Sequence, residues 1–129
     1  MAQALVLLGH GARDPEWARP FHRLQAALRT RLPAVRVEAA YMEFMAPALD
    51  TVVAGLAAAG VRRIRVLPVF ISQGGHVRTD VREQVAAART RWPDVRIDLL
   101  TAIGEVDGVL EAIADYAVAS MAEGPPPRG

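Results

Sequence analysis

The sequence predicts an α/β fold: a single-domain, three-layer αβα sandwich built on a four-stranded parallel sheet of order 2-1-3-4. Three observations carry this. Four short apolar runs alternate with four stretches of helical periodicity, which is the pattern of βαβ units. Two of the runs are continuously apolar and two alternate with charge, which separates central strands from outer ones. The length, 129 residues, suits one core. The domain is expected over residues 1–121. Residues 122–129 are expected to be a disordered tail, because Gly124-Pro125-Pro126-Pro127-Arg128-Gly129 can neither form a helix nor donate to a sheet.

The first strand is read at Ala4 to Leu8, followed by Gly9-His10-Gly11-Ala12-Arg13. Asp14 is a good N-cap and Pro15 suits the first helical position, so a helix is expected there, with Trp17, Phe21, Leu24 and Leu28 as its buried stripe and Pro33 as its stop. The second strand, Val35 to Met42, opens with the alternation Val-Arg-Val-Glu. Glu43 ends it, and the next helix carries Leu49, Val52, Val53 and Leu56 before Gly60 closes it. The third strand, Ile64 to Ile71, is nearly all apolar, and its Pro68 interrupts the hydrogen-bond ladder. Ser72-Gln73-Gly74-Gly75-His76 follows as a loop. A third helix is expected from Asp80 to Arg91, with Asp80 and Glu83 in capping-box spacing and Val81, Val85, Ala88 and Trp92 facing inward. The fourth strand is Val95 to Leu100, and the last helix Asp107 to Met121.

Continuous runs belong in the middle of a sheet, so the first and third strands are central. With right-handed crossovers the chain direction reverses between them. Open α/β sheets bind ligands at such a switch point, outside the carboxyl ends of the strands. The loops leaving those two strands carry His10 and His76, two of the three histidines in the chain.

Composition narrows the chemistry. All 15 basic residues are arginine, offset by 14 acids and spread along the chain, without the basic stripe that nucleic-acid binding normally shows, so no nucleic-acid partner is expected. With no cysteine, disulfides, thiolate ligands and a Cys nucleophile are excluded, and any metal is held by N and O. The run Ala4 to Leu8 lacks a basic leader and is far shorter than the ~20 residues that cross a bilayer, so no membrane partner and a cytoplasmic setting are expected.

Imidazoles bind borderline divalent metals and titrate near neutrality, so His10 and His76 can both hold an ion and move protons. Glu43 leaves the second strand at the same edge. Two histidines and a carboxylate from three loops make an incomplete shell with open positions, as an active site keeps. An imidazole between glycines is also what a plain tight turn offers, and an acid beside an outer strand is commonly solvated. His22 lies within a helix and is read as a surface or structural residue. Arg13, Arg78 and Arg82 flank the histidine loops, and their planar forks suit carboxylates. A solvated helix start accounts for any one of them equally well.

Three segments together go further. His10-Gly11-Ala12-Arg13-Asp14-Pro15, Ala40-Tyr41-Met42-Glu43-Phe44-Met45-Ala46-Pro47 and Pro68 through Asp80, in order and with suitable spacing, resemble the class II tetrapyrrole chelatases. More narrowly, they resemble the short, single-domain CbiX-type sirohydrochlorin chelatases, over essentially Leu5 to Ala119. The resemblance implies insertion of Co(II), Fe(II) or Ni(II) into sirohydrochlorin without ATP or another nucleotide. In that reading the metal is a substrate, His10 and His76 are the functional histidines and Glu43 the acidic residue. It implies a homodimer with clefts formed between subunits. Phe44 and Phe70 are then the candidates for facing the ring plane. Arg13, Arg78 and Arg82 are candidates for its carboxylates, and Gln73, Gly74 and Gly75 for its approach. A stoichiometric metal or tetrapyrrole carrier and a metal-dependent hydrolase remain alternatives, since two His and a Glu also describe catalytic zinc sites.

Overall fold

The computed structural model describes residues 2–122. Four parallel strands, β1 (Gln3–Gly9), β2 (Val35–Tyr41), β3 (Arg63–Pro68) and β4 (Arg96–Leu99), form one sheet in the order β2-β1-β3-β4. This is the fold class and strand order that the apolar pattern predicts. Four helices join or follow them: α1 (Arg19–Arg31), α2 (Leu49–Ala58), α3 (Gly75–Arg91) and α4 (Asp107–Ser120). Of the Pro-rich tail, residues 123–129 lie outside the described residues. No helix among the described residues is long and apolar enough to cross a membrane.

Strand alternation splits the core in two. Ala4, Val6 and Leu8 of β1 and Ile64 and Val66 of β3 point to one face, where Val52, Val53 and Leu56 of α2 and Val81, Val85 and Ala88 of α3 cover them. Leu7 and Val37 point to the other face and meet Phe21 of α1. Nine of these side chains, with Leu49 and Val61, are almost completely buried, and at about 1.5–3 kcal/mol for each fully buried aliphatic side chain they supply the main driving force.

Several boundaries depart from the sequence expectation. The segment after Asp14 begins as a 3-10 turn (Pro15–Ala18), capped by Asp14 accepting from the Glu16 N–H at 2.9 Å, and becomes α-helical at Arg19. The buried stripe of α1 shrinks to Phe21, while Trp17 and Leu24 are more than a third exposed. β3 ends at Pro68, which has no N–H to donate, and one further bond to β1, Val69 N–H to Leu8 O at 2.9 Å, follows it. α3 starts at Gly75, five residues ahead of the expected Asp80 cap. Gly74 takes the N-cap position with extended backbone (φ −74°, ψ 174°), and glycine serves there because solvent can reach the free N–H groups of the first turn. His76 therefore sits in the first turn of a helix, not in a loop.

The last helix departs most. No residue of α4 is buried, and it packs chiefly against the turn that precedes it. α1 covers the β1–β2 half of its face. On the β3–β4 half, Arg63, Arg65, Leu67, Arg96 and Asp98 are exposed or half-buried, with Arg63 paired in register to Arg96 and Arg65 to Asp98.

Candidate functional site

The sheet ends where the site begins. Beyond Gly9, the β1–β2 pairing continues through two further backbone bonds: Met42 N–H to Gly9 O (2.9 Å) and Glu43 N–H to His10 O (3.2 Å). Those bonds carry Glu43 alongside His10. Gly11 completes the fit: its φ is +94°, a region open to glycine, and a Cβ there would run into the carbonyl oxygen of Glu43. Glu43 O also accepts from Met45 N–H at 2.8 Å, closing a three-residue turn on Phe44 at φ 66°. A positive φ on an aromatic residue is held only where its surroundings impose it.

The result is an imidazole–carboxylate pair, with His10 Nε2 at 3.8 Å from Glu43 Oε1 and both side chains about half exposed. At that separation and exposure the pair contributes at most about 1 kcal/mol, so each partner can be traded for another ligand. Behind His10, the buried Phe70 presents its ring at 79° to the imidazole, centroids 6.2 Å apart. Phe70 thus backs the imidazole from within the core instead of offering an open ring face. Arg13 lies over the Phe44 ring, 4.5 Å from its centroid, and both project from the rim beside Glu43.

A crevice of about 380 Å³ opens next to His10 between the β1 and β3 ends; Ile71, Ser72, Gln73, Gly74 and Val77 line it. Its size is at the small end of ligand pockets, so a large planar molecule would rest in it by one edge or face. Gly75 and His76 follow on the first turn of α3, exposed. Among the described residues no three His, Asp or Glu side chains gather closely enough to share a metal ion. The structure thus brings His10 and Glu43 together, while His76, exposed on the first turn of α3, is not among the residues that line the crevice. His22 takes no part: its Nε2 lies 3.1 Å from the Tyr41 hydroxyl.

Two features escaped the sequence reading. Gly104, after β4, donates its N–H to Phe70 O (2.9 Å) and packs so closely on the Ile71 carbonyl that a Cβ would collide with it. Its neighbour Glu105 reaches Arg78 at 3.3 Å. The only signal for them was a glycine and an acid after the fourth strand, at the same edge as the histidine loops.

An open parallel sheet with an imidazole, a carboxylate and a crevice at its switch point is an α/β protein of the doubly wound kind, in which ligands generally bind at that point. The particular family follows from comparison: the CbiX family model matches residues 4–119, and the chain belongs to that family. A CbiX protein from Marinobacter aquaeolei, described as one of cobalamin biosynthesis, has a TM-score of 0.80 and 30% identity, over 91% of this chain and 95% of that one. The sirohydrochlorin ferrochelatase of Bacillus subtilis is 24% identical over 113 residues, 88% of this chain and 43% of the relative. The sirohydrochlorin cobaltochelatase of Methanocaldococcus jannaschii is 35% identical over 79 residues, 61% of this chain and 55% of the relative. The chain spans about half the length of these curated relatives.

Proposed function

We propose that this protein inserts a divalent metal ion into sirohydrochlorin without ATP, with cobalt the foremost candidate and iron or nickel the alternatives. The observation that carries this is the His10–Glu43 pair, 3.8 Å apart, with His10 lining a crevice of about 380 Å³. Insertion exchanges one divalent ion for two pyrrole protons, so the site needs ligands that hold an ion loosely and bases that take protons. In this reading His10 and Glu43, joined by His76 from the first turn of α3, present the ion in an incomplete N/O shell, which releases it where thiolates would not. His10 Nε2 accepts one proton, and Glu43, already facing it, accepts or relays the second. Arg13, Arg78 and Arg82 meet the substrate's carboxylates, and Phe44 and Ile71, both more than half exposed, flank its plane. Phe70 supports His10, and Gln73, Gly74 and Gly75 border the approach.

The reading includes a homodimer. α4 is acidic and apolar, with Asp107, Glu111 and Asp115 at four-residue spacing and Leu110 and Ile113 exposed. The uncovered half of the sheet offers Leu67 with Arg63, Arg65 and Arg96, and the Nε of Arg63 there is shielded without a partner. Opposite charge and matching apolar surface suit α4 of a second copy to that face.

Anaerobic incubation with sirohydrochlorin and Co(II), Fe(II) or Ni(II), followed by the absorbance change, tests the activity. Turnover above the spontaneous rate is expected for at least one metal. Stoichiometric binding without turnover would turn the reading into that of a carrier.

A further inference from the structure

Beside the His10 crevice, and sharing Gln73 with it, lies a second cavity of about 200 Å³ between α3 and the chain that leaves β4. We infer that this cavity is a carboxylate-binding site, and that Glu105 occupies it as a stand-in, to be displaced from Arg78 by a carboxylate arm of the ligand. The inference rests on the tetrapyrrole reading for the ligand's identity, and on the geometry below for the site.

Arg78 and Arg82 stand one helical turn apart on α3 and both line the cavity, as do Thr101 and Glu105. Glu105 is the one acid in the lining. It touches Arg78 through a single oxygen and a single nitrogen, Nη2 to Oε1 at 3.3 Å, with the two side chains 46% and 57% exposed. Strong guanidinium–carboxylate pairs are bidentate and shorter, about 2.7–2.9 Å. This contact leaves most of the Arg78 fork unfilled and is readily exchanged. Among the described residues, Arg82 has no carboxylate within 4.0 Å. The cavity thus holds two cations against one weakly held acid, over an apolar floor of Pro68, Leu99 and Ala102.

The exchange needs no loop movement. The Glu105 backbone is tied by its N–H to Ala102 O at 3.0 Å, and Gly104 is locked to Phe70 O and against Ile71. Only the Glu105 side chain has to swing. At roughly 30 Å³ for each water, the space holds about six waters, enough for a short carboxylate arm while the ring stays in the neighbouring crevice. Gln73 lines both spaces.

Titration of the full chain with metal-free sirohydrochlorin, read by fluorescence quenching, tests this apart from turnover. Glu105→Gln keeps the size and removes the competing charge, and is expected to tighten binding about three- to tenfold. Arg82→Gln, at an exposed helix position, is expected to weaken it about tenfold, the scale of one charge-assisted hydrogen bond. The permethyl ester of sirohydrochlorin is expected to bind the wild type and Glu105→Gln equally. Unchanged or weaker binding by Glu105→Gln, or an unchanged Arg82→Gln, would overturn the site while leaving the chelatase reading intact. No binding by the wild type would instead sink that reading.

Discussion

Gly11 and Glu43 are packed backbone to backbone, with no room for a side chain on Gly11 against the Glu43 carbonyl oxygen. The carboxylate that faces His10 is therefore placed by a glycine from the imidazole's own loop. Gly11→Ala is expected to cost about 1–3 kcal/mol in stability, from the positive φ and the clash together. It is also expected to lower turnover beyond what the lost stability explains. Chemical denaturation combined with rates measured well below the unfolding transition checks both. Full activity in a destabilised variant would show that the Glu43 position is not critical.

His10→Ala and His76→Ala are each expected to reduce metal insertion about 10²–10⁴-fold, the range for losing a positioned general base. Both side chains are exposed, so far-UV circular dichroism should remain that of the wild type. His22→Ala, whose partner is the Tyr41 hydroxyl, should keep most of the rate. Near-normal turnover in His10→Ala would remove the role proposed for that residue.

Leu110→Asp combined with Ile113→Asp is expected to leave the monomer fold unchanged, because no residue of α4 is buried within its own chain. If α4 seats on a second copy, the double variant runs as a monomer in light scattering while the wild type is a dimer. Glu111→Arg alone should weaken the association, and Glu111→Arg with Arg65→Glu, which exchanges the charges, should recover part of it. A monomeric wild type at micromolar concentration would dismiss the arrangement.

Burial raises the Tyr41 phenol above its ordinary value of 10.0. The folded state thus holds this proton more tightly than the unfolded chain does. Its contribution is fully present below the unfolded pKa and is lost as pH rises through the higher folded value. The chain has no lysine or cysteine and Tyr116 is exposed, so Tyr41 dominates the alkaline limb. Unfolding free energy should therefore fall as pH rises above about 10. Tyr41→Phe should flatten that fall, at a cost of about 1 kcal/mol near neutrality for the hydrogen bond to His22. An equally steep alkaline loss in Tyr41→Phe would contradict the assignment.

Much of this was legible in sequence because it is encoded locally. The contrast between the apolar runs of β1 and of β3 from Val66 onward and the charged starts of β2 and β4 reports which strands have neighbours on both sides, even though β3 itself opens on Arg63-Ile64-Arg65. From that, the order and the placement of His10 at the switch point follow. Glu43 was legible for the same reason, as the residue that leaves β2 at the edge where His10 leaves β1. The start of α3 was not: a capping box at Asp80 is a local signal, but exposed Gly74 and Gly75 let the helix begin earlier, with solvent satisfying its first N–H groups. Trp17 misled in a similar way, since helical spacing gives a face but not how deeply the far end of that face is covered.

The sequence by itself determined the layers, the strand order and the two loops that bear His10 and Glu43, because burial periodicity and turn chemistry act over a few residues. Only the tertiary structure decided that Gly11 seats Glu43, that Gly104 locks against Ile71 so that Glu105 reaches Arg78, and that α4 leaves half of the sheet uncovered. Those contacts join segments about thirty residues apart. They depend on the register that brings neighbouring strand ends to one edge, a distance relation that no local pattern carries.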